Sequence, residues 1–337
     1  MDSENTIKRF LIFCVFLLLP AALLAQRLNV RLKQYCILEA ARLVPEADRL
    51  HFGGISAIEY VPGGPWILVN DRAVKPKKDS VTDQTSYLFT ATDAGKLASA
   101  VFSSVSGISG VENVESYRYN PTLKQYFFAA ERDQESLIGV IGEQGKPETL
   151  YTESPDEKRT SDNRGIEGLT FDQRNNLWFS LESGGETDCR KATATYLFKV
   201  PFDTQTNRYN FSRKERYTYP FDACACLPNE SPFTGSLGNG ISEILHYDTN
   251  TLLVLERCYD GKGNGTSVKL FLATISDATK SLSKSLLFDF NDYLRPDNLE
   301  GMTWGPDENG QRTLYVISDD NFSARQTTQL IVLTVDR

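Results

Sequence analysis

Five copies of one short pattern, spread along nearly the whole chain, constrain its fold more than any other feature. Each copy passes from a small or polar residue through an aliphatic to Ser or Glu. An alternating strand-like stretch, a turn and a second strand-like stretch ending in an acid follow. The copies are Gly54-Ile55-Ser56 with 67–72, Asn113-Val114-Glu115 with 126–132, and Gly165-Ile166-Glu167 with 177–183. Gly240-Ile241-Ser242 with 252–257 and Asn298-Leu299-Glu300 with 314–320 complete the set. Between copies lie further β-branched and aromatic runs, such as 86–92, 97–102, 268–275 and 285–290, which read as two more strands per unit. The stretches 62–64, 120–121, 172–176 and 306–310 carry the Gly, Pro, Asn and Asp of tight reversals. No segment reads as a long helix.

Repeated four-stranded units without helices predict an all-β propeller of five blades, with the long interval from Gly165 to Gly240 leaving room for a degenerate sixth. A β-sandwich explains neither the period nor the repeated acids. Only one strand, 329–336, follows the last acid, so the stretch 31–38 is expected to complete the final blade and remove an exposed edge. A chain of 337 residues accommodates this as a single domain, and its 40% hydrophobic content suits a packed core.

Residues 1–25 have the pattern of a secretory signal: Lys8 and Arg9, an apolar run over 10–24, and Ala25 before Gln26. The expectation is a propeller domain over 26–337 that is secreted or periplasmic, with an uncleaved anchor as the alternative. No later segment could span a membrane. Five cysteines follow the signal, Cys36, Cys189, Cys224, Cys226 and Cys258, an odd set that leaves at least one thiol outside intramolecular pairs. Cys224 and Cys226 are spaced wrongly for a zinc or redox pair. Sequons begin at Asn210, Asn229, Asn264 and Asn321. The net charge of -8 argues against nucleic acid as a partner and allows attraction of cations.

In a propeller the first strand of each blade lines the central channel and the second runs antiparallel to it. Ser56, Glu115, Glu167, Ser242 and Glu300, which open the first strands, are therefore expected to share one mouth with Asp71, Glu131, Glu182, Glu256 and Asp319, which end the second strands. Crowded carboxylates cannot all remain ionised without a compensating cation. An all-oxygen set of carboxylates and hydroxyls suits a hard ion, calcium before magnesium, on the five first-strand residues. Such an ion could be structural or catalytic. In the catalytic case Glu131, Glu182 and Glu256 are the candidate proton acceptors, with Asp71 and Asp319 completing the second acidic layer. Arg72, Arg132 and Arg257 are candidates for binding an anionic substrate, or for salt bridges between blades, because adjacent strand residues face opposite ways.

A Ser-His-Asp hydrolase is disfavoured: the chain has only His51 and His246, neither beside a nucleophile-elbow sequence.

The stretches RGIEGLTFDQRNNLWFSLE (164–182), NGISEILHYDTNTLLVLER (239–257), and DNLEGMTWGP with RTLYVISDDNF (297–322) resemble the phytase-like family described as having esterase-like activity. The resemblance runs from about Gly53 to the C-terminus, and the last stretch, followed by Gln326-Thr327-Thr328-Gln329, is its most specific part. It implies an exported propeller hydrolysing a small-molecule ester or phosphoester, expected to be a monomer. The order Ser, Glu, Glu, Ser, Glu is also similar to that of calcium-dependent apyrases, five-bladed nucleotidases that hold a central calcium. That likeness extends only to Ser56, Glu115, Glu167, Ser242 and Glu300. The competing reading is a noncatalytic, calcium-stabilised propeller that binds a glycan or protein through loops 75–83 and 184–191.

Overall fold

The computed structural model describes residues 28–71, 85–91, 97, 100–132, 135–142, 145–153, 165–183, 193–222, 238–259 and 266–336. The signal-like segment, the loops 75–83 and 184–191, and Cys189, Cys224 and Cys226 lie outside them.

Strand β1 (Asn29–Ile37) is followed by a short helix, Ala40–Leu43, and a 3-10 turn, Glu46–His51. The first blade comprises β2 (Ile55–Tyr60), β3 (Trp66–Asn70), β4 (Tyr87–Ala91) and β5 (Ser104–Gly107). The second is β6 (Val114–Asn120), β7 (Gln125–Arg132), β8 (Glu135–Ile141) and β9 (Pro147–Glu153). In the third, β10 (Ile166–Phe171), β11 (Leu177–Leu181) and β12 (Ala194–Val200) are separated by a small ribbon, β13 (Phe202–Asp203) with β14 (Arg208–Tyr209), from the outer strand β15 (Glu215–Pro220). The fourth is β16 (Gly238–Asp248), β17 (Thr251–Tyr259), β18 (Thr266–Ser276) and β19 (Ser281–Asp289). The fifth contains β20 (Asn298–Trp304), β21 (Arg312–Asp319) and β22 (Gln329–Asp336), and β1 supplies its outer edge.

The expected closure is thus present: β1 pairs antiparallel with β22 from Asn29↔Asp336 to Ile37↔Gln329. The inner strands β2, β6, β10, β16 and β20 contact one another in that order, and β20 returns to β2. The interval 165–240 holds the β13–β14 ribbon and, among the described residues, no sixth inner strand. One parallel pairing, Thr218↔Ser281, links the outer edges of blades three and four. The outer strand of blade one falls at 104–107 rather than at the expected 97–102. Leu97, Ala100 and Phe102 are instead buried with Leu43, Val44 and Phe52 under the blade's edge, where an apolar run serves packing better than pairing.

Apolar side chains gather in five clusters, one at each blade–blade interface. Strands such as Trp66–Asn70 and Leu177–Leu181 are buried on both faces, so their sequences lose the two-residue alternation of a half-exposed strand.

The axis carries a charge that sequence reasoning missed. Arg118, on β6 and only 3% exposed, donates to the carbonyls of Leu169 (2.8 Å), Ile58 (3.0 Å) and Met302 (2.6 Å). It also pairs with Glu59 at 3.2 Å and Glu243 at 2.6 Å. One guanidinium therefore reaches the inner strand of every other blade. Its rigid fork of five donors suits that task, where a lysine would offer three on a flexible stem. Glu243 also accepts from the Leu169 and Ile244 amides and from Ser116 Oγ.

Two buried carboxylates share this one cation, so burial dominates their titration. Burial raises Glu59 above the usual carboxylate range and pushes Glu243 up to about 7, against the pull of Arg118. A raised folded-state pKa contributes stability at low pH that is lost as pH rises through the folded value. Stability at the axis should therefore fall between about pH 4.5 and 7, and Glu243→Gln should flatten that decline in urea titrations. Arg118→Met, which strands both acids, should lower the unfolding free energy by about 3–5 kcal/mol.

Candidate functional site

The five residues expected at the channel mouth share a backbone feature that no residue pattern disclosed. In every inner strand the ladder slips at that residue: between Ile55 and Ala57, Val114 and Ser116, and Ile166 and Gly168. The same slip lies between Ile241 and Glu243 and between Leu299 and Gly301. Ser56, Glu115, Glu167, Ser242 and Glu300 are each the extra residue of a β-bulge. A bulge leaves its residue unpaired and re-aims the side chain, and here it does so five times at one level of the ring. All five residues are buried.

The second strands supply the next layer. The amides of Asp71, Glu131 and Glu182 donate to the carbonyls of Gly54, Asn113 and Gly165 in their own blades, and Asp319 lies opposite Asn298. Each is the position two residues before its blade's bulge on the facing strand. In blade four that position, opposite Gly240, is Arg257. Glu256, the expected member of the layer, lies opposite Ile241 and turns away, toward Lys284 Nζ and the Tyr219 hydroxyl. A one-residue register difference exchanges the two faces of a strand, so Arg257 enters the ring and Glu256 leaves it.

Arg257 sits among acids. It bonds Glu300 Oε1 and Asn298 Oδ1, and its other nitrogen lies 3.4 Å from Glu182 Oε1. Asn298 Nδ2 also donates to Glu300 Oε1, at 2.7 Å, so one oxygen of Glu300 carries both donors. Arg72 and the side chain of Arg132 lie outside the described residues.

The acids crowd one another. Glu115 is held well above the usual carboxylate range by burial first, then by the charges of Glu167, Glu131, Glu300 and Asp71. Glu167 is raised by burial and by Glu182, against the pull of Arg257. Asp319 is raised by burial, Glu300 and Asp71, against an Asn321 amide 2.6 Å from its Oδ1. Glu115 and Glu167, 7% and 3% exposed, have no hydrogen-bond donor among the described residues. Ser56 Oγ donates to the Val114 carbonyl of the next blade, and Ser242 Oγ to Leu255 at 3.4 Å. Among the described residues no three acidic, His or Cys side chains form a ready-made metal cluster.

Two glycines allow blades to approach so closely. A Cβ on Gly165 would lie 1.5 Å from Ser136 Oγ and 2.7 Å from Glu131, whose carboxylate accepts the Gly165 amide. A Cβ on Gly240 would lie 2.7 Å from Glu182 Cγ. The acid of one blade thus rests on the glycine that opens the next. The histidines stand apart: His51 stacks on Tyr87 with ring centres 4.2 Å apart, and burial lowers His246, toward the far end of β16.

The distinctive C-terminal residues brace blade five internally and tie it to blade one. Asp297 accepts from Gln326 Nε2 and the Thr327 amide, both at 2.8 Å, while Asp320 accepts from the Gly54 amide at 2.9 Å. The sequence model of the phytase-like family, "esterase-like activity of phytase", matches residues 50–322, a span that contains the entire ring. The chain belongs to the phytase-like family. This phytase-like chain is a β-propeller by its own strand pairing, and the family description supports a hydrolase.

No curated protein matches the sequence. A luciferin-regenerating enzyme is among the similar solved structures, with 11% identity over 84% of this chain and 93% of that one, at a TM-score of 0.43. An endo-1,4-β-xylanase from Bacteroides thetaiotaomicron has 8% identity over 85% and 96%, at a TM-score of 0.45. An exo-1,5-α-L-arabinanase from a bovine ruminal metagenomic library has 10% identity over 77% and 94%, at a TM-score of 0.40.

Because burial and repulsion raise Glu115, its ionised form opposes folding, and this cost grows as pH rises from the ordinary carboxylate range toward its folded pKa. In a chelating buffer at pH 8, Glu115→Gln should be more stable than the unaltered chain by at least about 1 kcal/mol. Calorimetric melts should show the difference narrowing toward pH 5.

Proposed function

We propose that this chain is an exported, metal-dependent hydrolase of small-molecule esters or phosphoesters, with a divalent cation, calcium before magnesium, held by the ring of bulged residues. The observation that carries the reading is the pair Glu115 and Glu167: buried, raised by their neighbours, and without a hydrogen-bond donor among the described residues. Buried carboxylates in that condition lack compensation that a cation supplies.

The donor set fits a hard ion. Glu115, Glu167 and Glu300 bring carboxylates, and Ser56 and Ser242 bring hydroxyls that keep acceptor lone pairs while they donate. Glu300 has both its donors on Oε1, leaving Oε2 as the oxygen to offer. Oxygen ligands in this number suit calcium's loose coordination better than magnesium's strict octahedron. When bound, the ion supplies Lewis-acid polarisation of the substrate oxygen and acidifies water.

The chain's own residues supply orientation and proton transfer. Arg257 and Asn298 fix Glu300 by one oxygen. Glu131 is committed to the Gly165 amide, whereas the Glu182 carboxylate has Arg257 as its one hydrogen-bond donor among the described residues, at 3.4 Å, so Glu182 is the stronger candidate to accept a proton from water. Glu256, neutralised by Lys284 away from the ring, is not part of this scheme. Export is supported by the apolar segment 10–24 and by the disulfide at Cys258, whose partner lies outside the described residues. The substrate is a small molecule, and the chain acts as a monomer.

The test is a panel of aryl esters and aryl phosphates assayed with calcium or with chelator. Chelation and Glu167→Gln should both abolish turnover, and Glu182→Gln should lower kcat by about 10²- to 10⁴-fold. Undiminished turnover in chelator contradicts the proposal. Thermal stabilisation by calcium without turnover of any substrate would favour the binding propeller instead.

A further inference from the structure

Four blades present an acid at the second-strand position of the ring, Asp71, Glu131, Glu182 and Asp319, and blade four presents Arg257. Blade four also carries Ser242 where three others carry Glu. It is the one blade that brings no carboxylate to either layer, and its guanidinium stands between acids from the blades on both sides. Glu182 comes from blade three and Glu300 from blade five, and Arg257 spans them. The side chain is 16% exposed, and its contacts with Glu300, Glu182 and Asn298 engage both terminal nitrogens of the guanidinium. Such a fork binds carboxylates as strongly when they belong to the protein as when they belong to a substrate.

We propose that Arg257 is a built-in counter-cation that occupies the place of a second metal ion between Glu182 and Glu300, and so limits the ring to the one ion held by the bulged residues. This deepens the reading of the ring as an ion site and rests on it. Glu115 and Glu167, buried on blades two and three, are not bonded to Arg257, whose contacts are with Glu182, Glu300 and Asn298. Arg257 is accordingly a positioning residue for Glu300 and a determinant of metal stoichiometry, rather than a group held in reserve for the substrate. Its permanent charge gives it an advantage over a bound ion, since it cannot dissociate.

The test is calorimetric titration of calcium chloride into the chelator-stripped chain, into Arg257→Gln and into Arg257→Lys, each also followed by thermal melting. The unaltered chain and Arg257→Lys should take up one calcium per chain, and Arg257→Gln should take up two, with a larger calcium-induced rise in melting temperature. If Arg257→Gln folds only when calcium is present, that rescue supports the proposal directly. An Arg257→Gln chain that folds and binds no more calcium than the unaltered chain overturns it, as does one that calcium cannot rescue. The two readings separate cleanly: no binding by the unaltered chain with binding by Arg257→Gln would retain the counter-cation and remove the native ion site. One calcium in both would retain the ion site and remove the counter-cation.

Discussion

A single guanidinium at the axis is the interaction on which the arrangement of this propeller depends. Blades of a propeller are held together mainly by apolar packing between their faces, which is strong but has little directional preference. Arg118 adds direction: its donors fix carbonyls on three inner strands, and Glu59 and Glu243 bring in the first and fourth blades by charge. Because these contacts are buried, the depth of each inner strand is set against the same reference point. The price of such a device is a second buried carboxylate for one cation, which Glu243 expresses in its raised titration.

The ring lies three residues away along β6, roughly 10 Å at the rise of an extended strand. Five aligned bulges require five inner strands at a common depth, and the Arg118 network supplies that alignment. The bulges in turn place Ser56, Glu115, Glu167, Ser242 and Glu300 in the ring without interrupting the rest of each ladder. Below them the chain satisfies its buried charges internally. At the level of the bulges it leaves Glu115 and Glu167 raised and without donors among the described residues. That contrast, between a closed network and an open one on the same strands, is why we assign the proposed cation to the ring and a structural role to the Arg118 network.

Much of this architecture is legible in the residues because each blade repeats one pattern: the five units, the closure by β1, and the five first-strand oxygens all follow from self-similarity and the two-residue strand period. What escapes is whatever depends on phase. A bulge changes the phase of one strand against its neighbour by one residue and leaves no mark in composition, so aligning the terminal acids of the second strands selects Glu256, while hydrogen-bond register selects Arg257. Arg118 escapes for a different reason: a lone arginine in VESYRYN is an ordinary residue of a half-exposed strand until three other blades bring their carbonyls to it. The apolar run at 97–102 has the composition of a strand but serves as packing for the edge of blade one.

The central claim, that the bulged ring is a cation site, is tested most directly by anomalous diffraction from crystals of the chain grown with calcium. The account predicts one anomalous peak per chain, bounded by the carboxylates of Glu115, Glu167 and Glu300. A map with no peak at the ring, or with the ion bound elsewhere and Glu115 and Glu167 paired to donors of the protein itself, would contradict it.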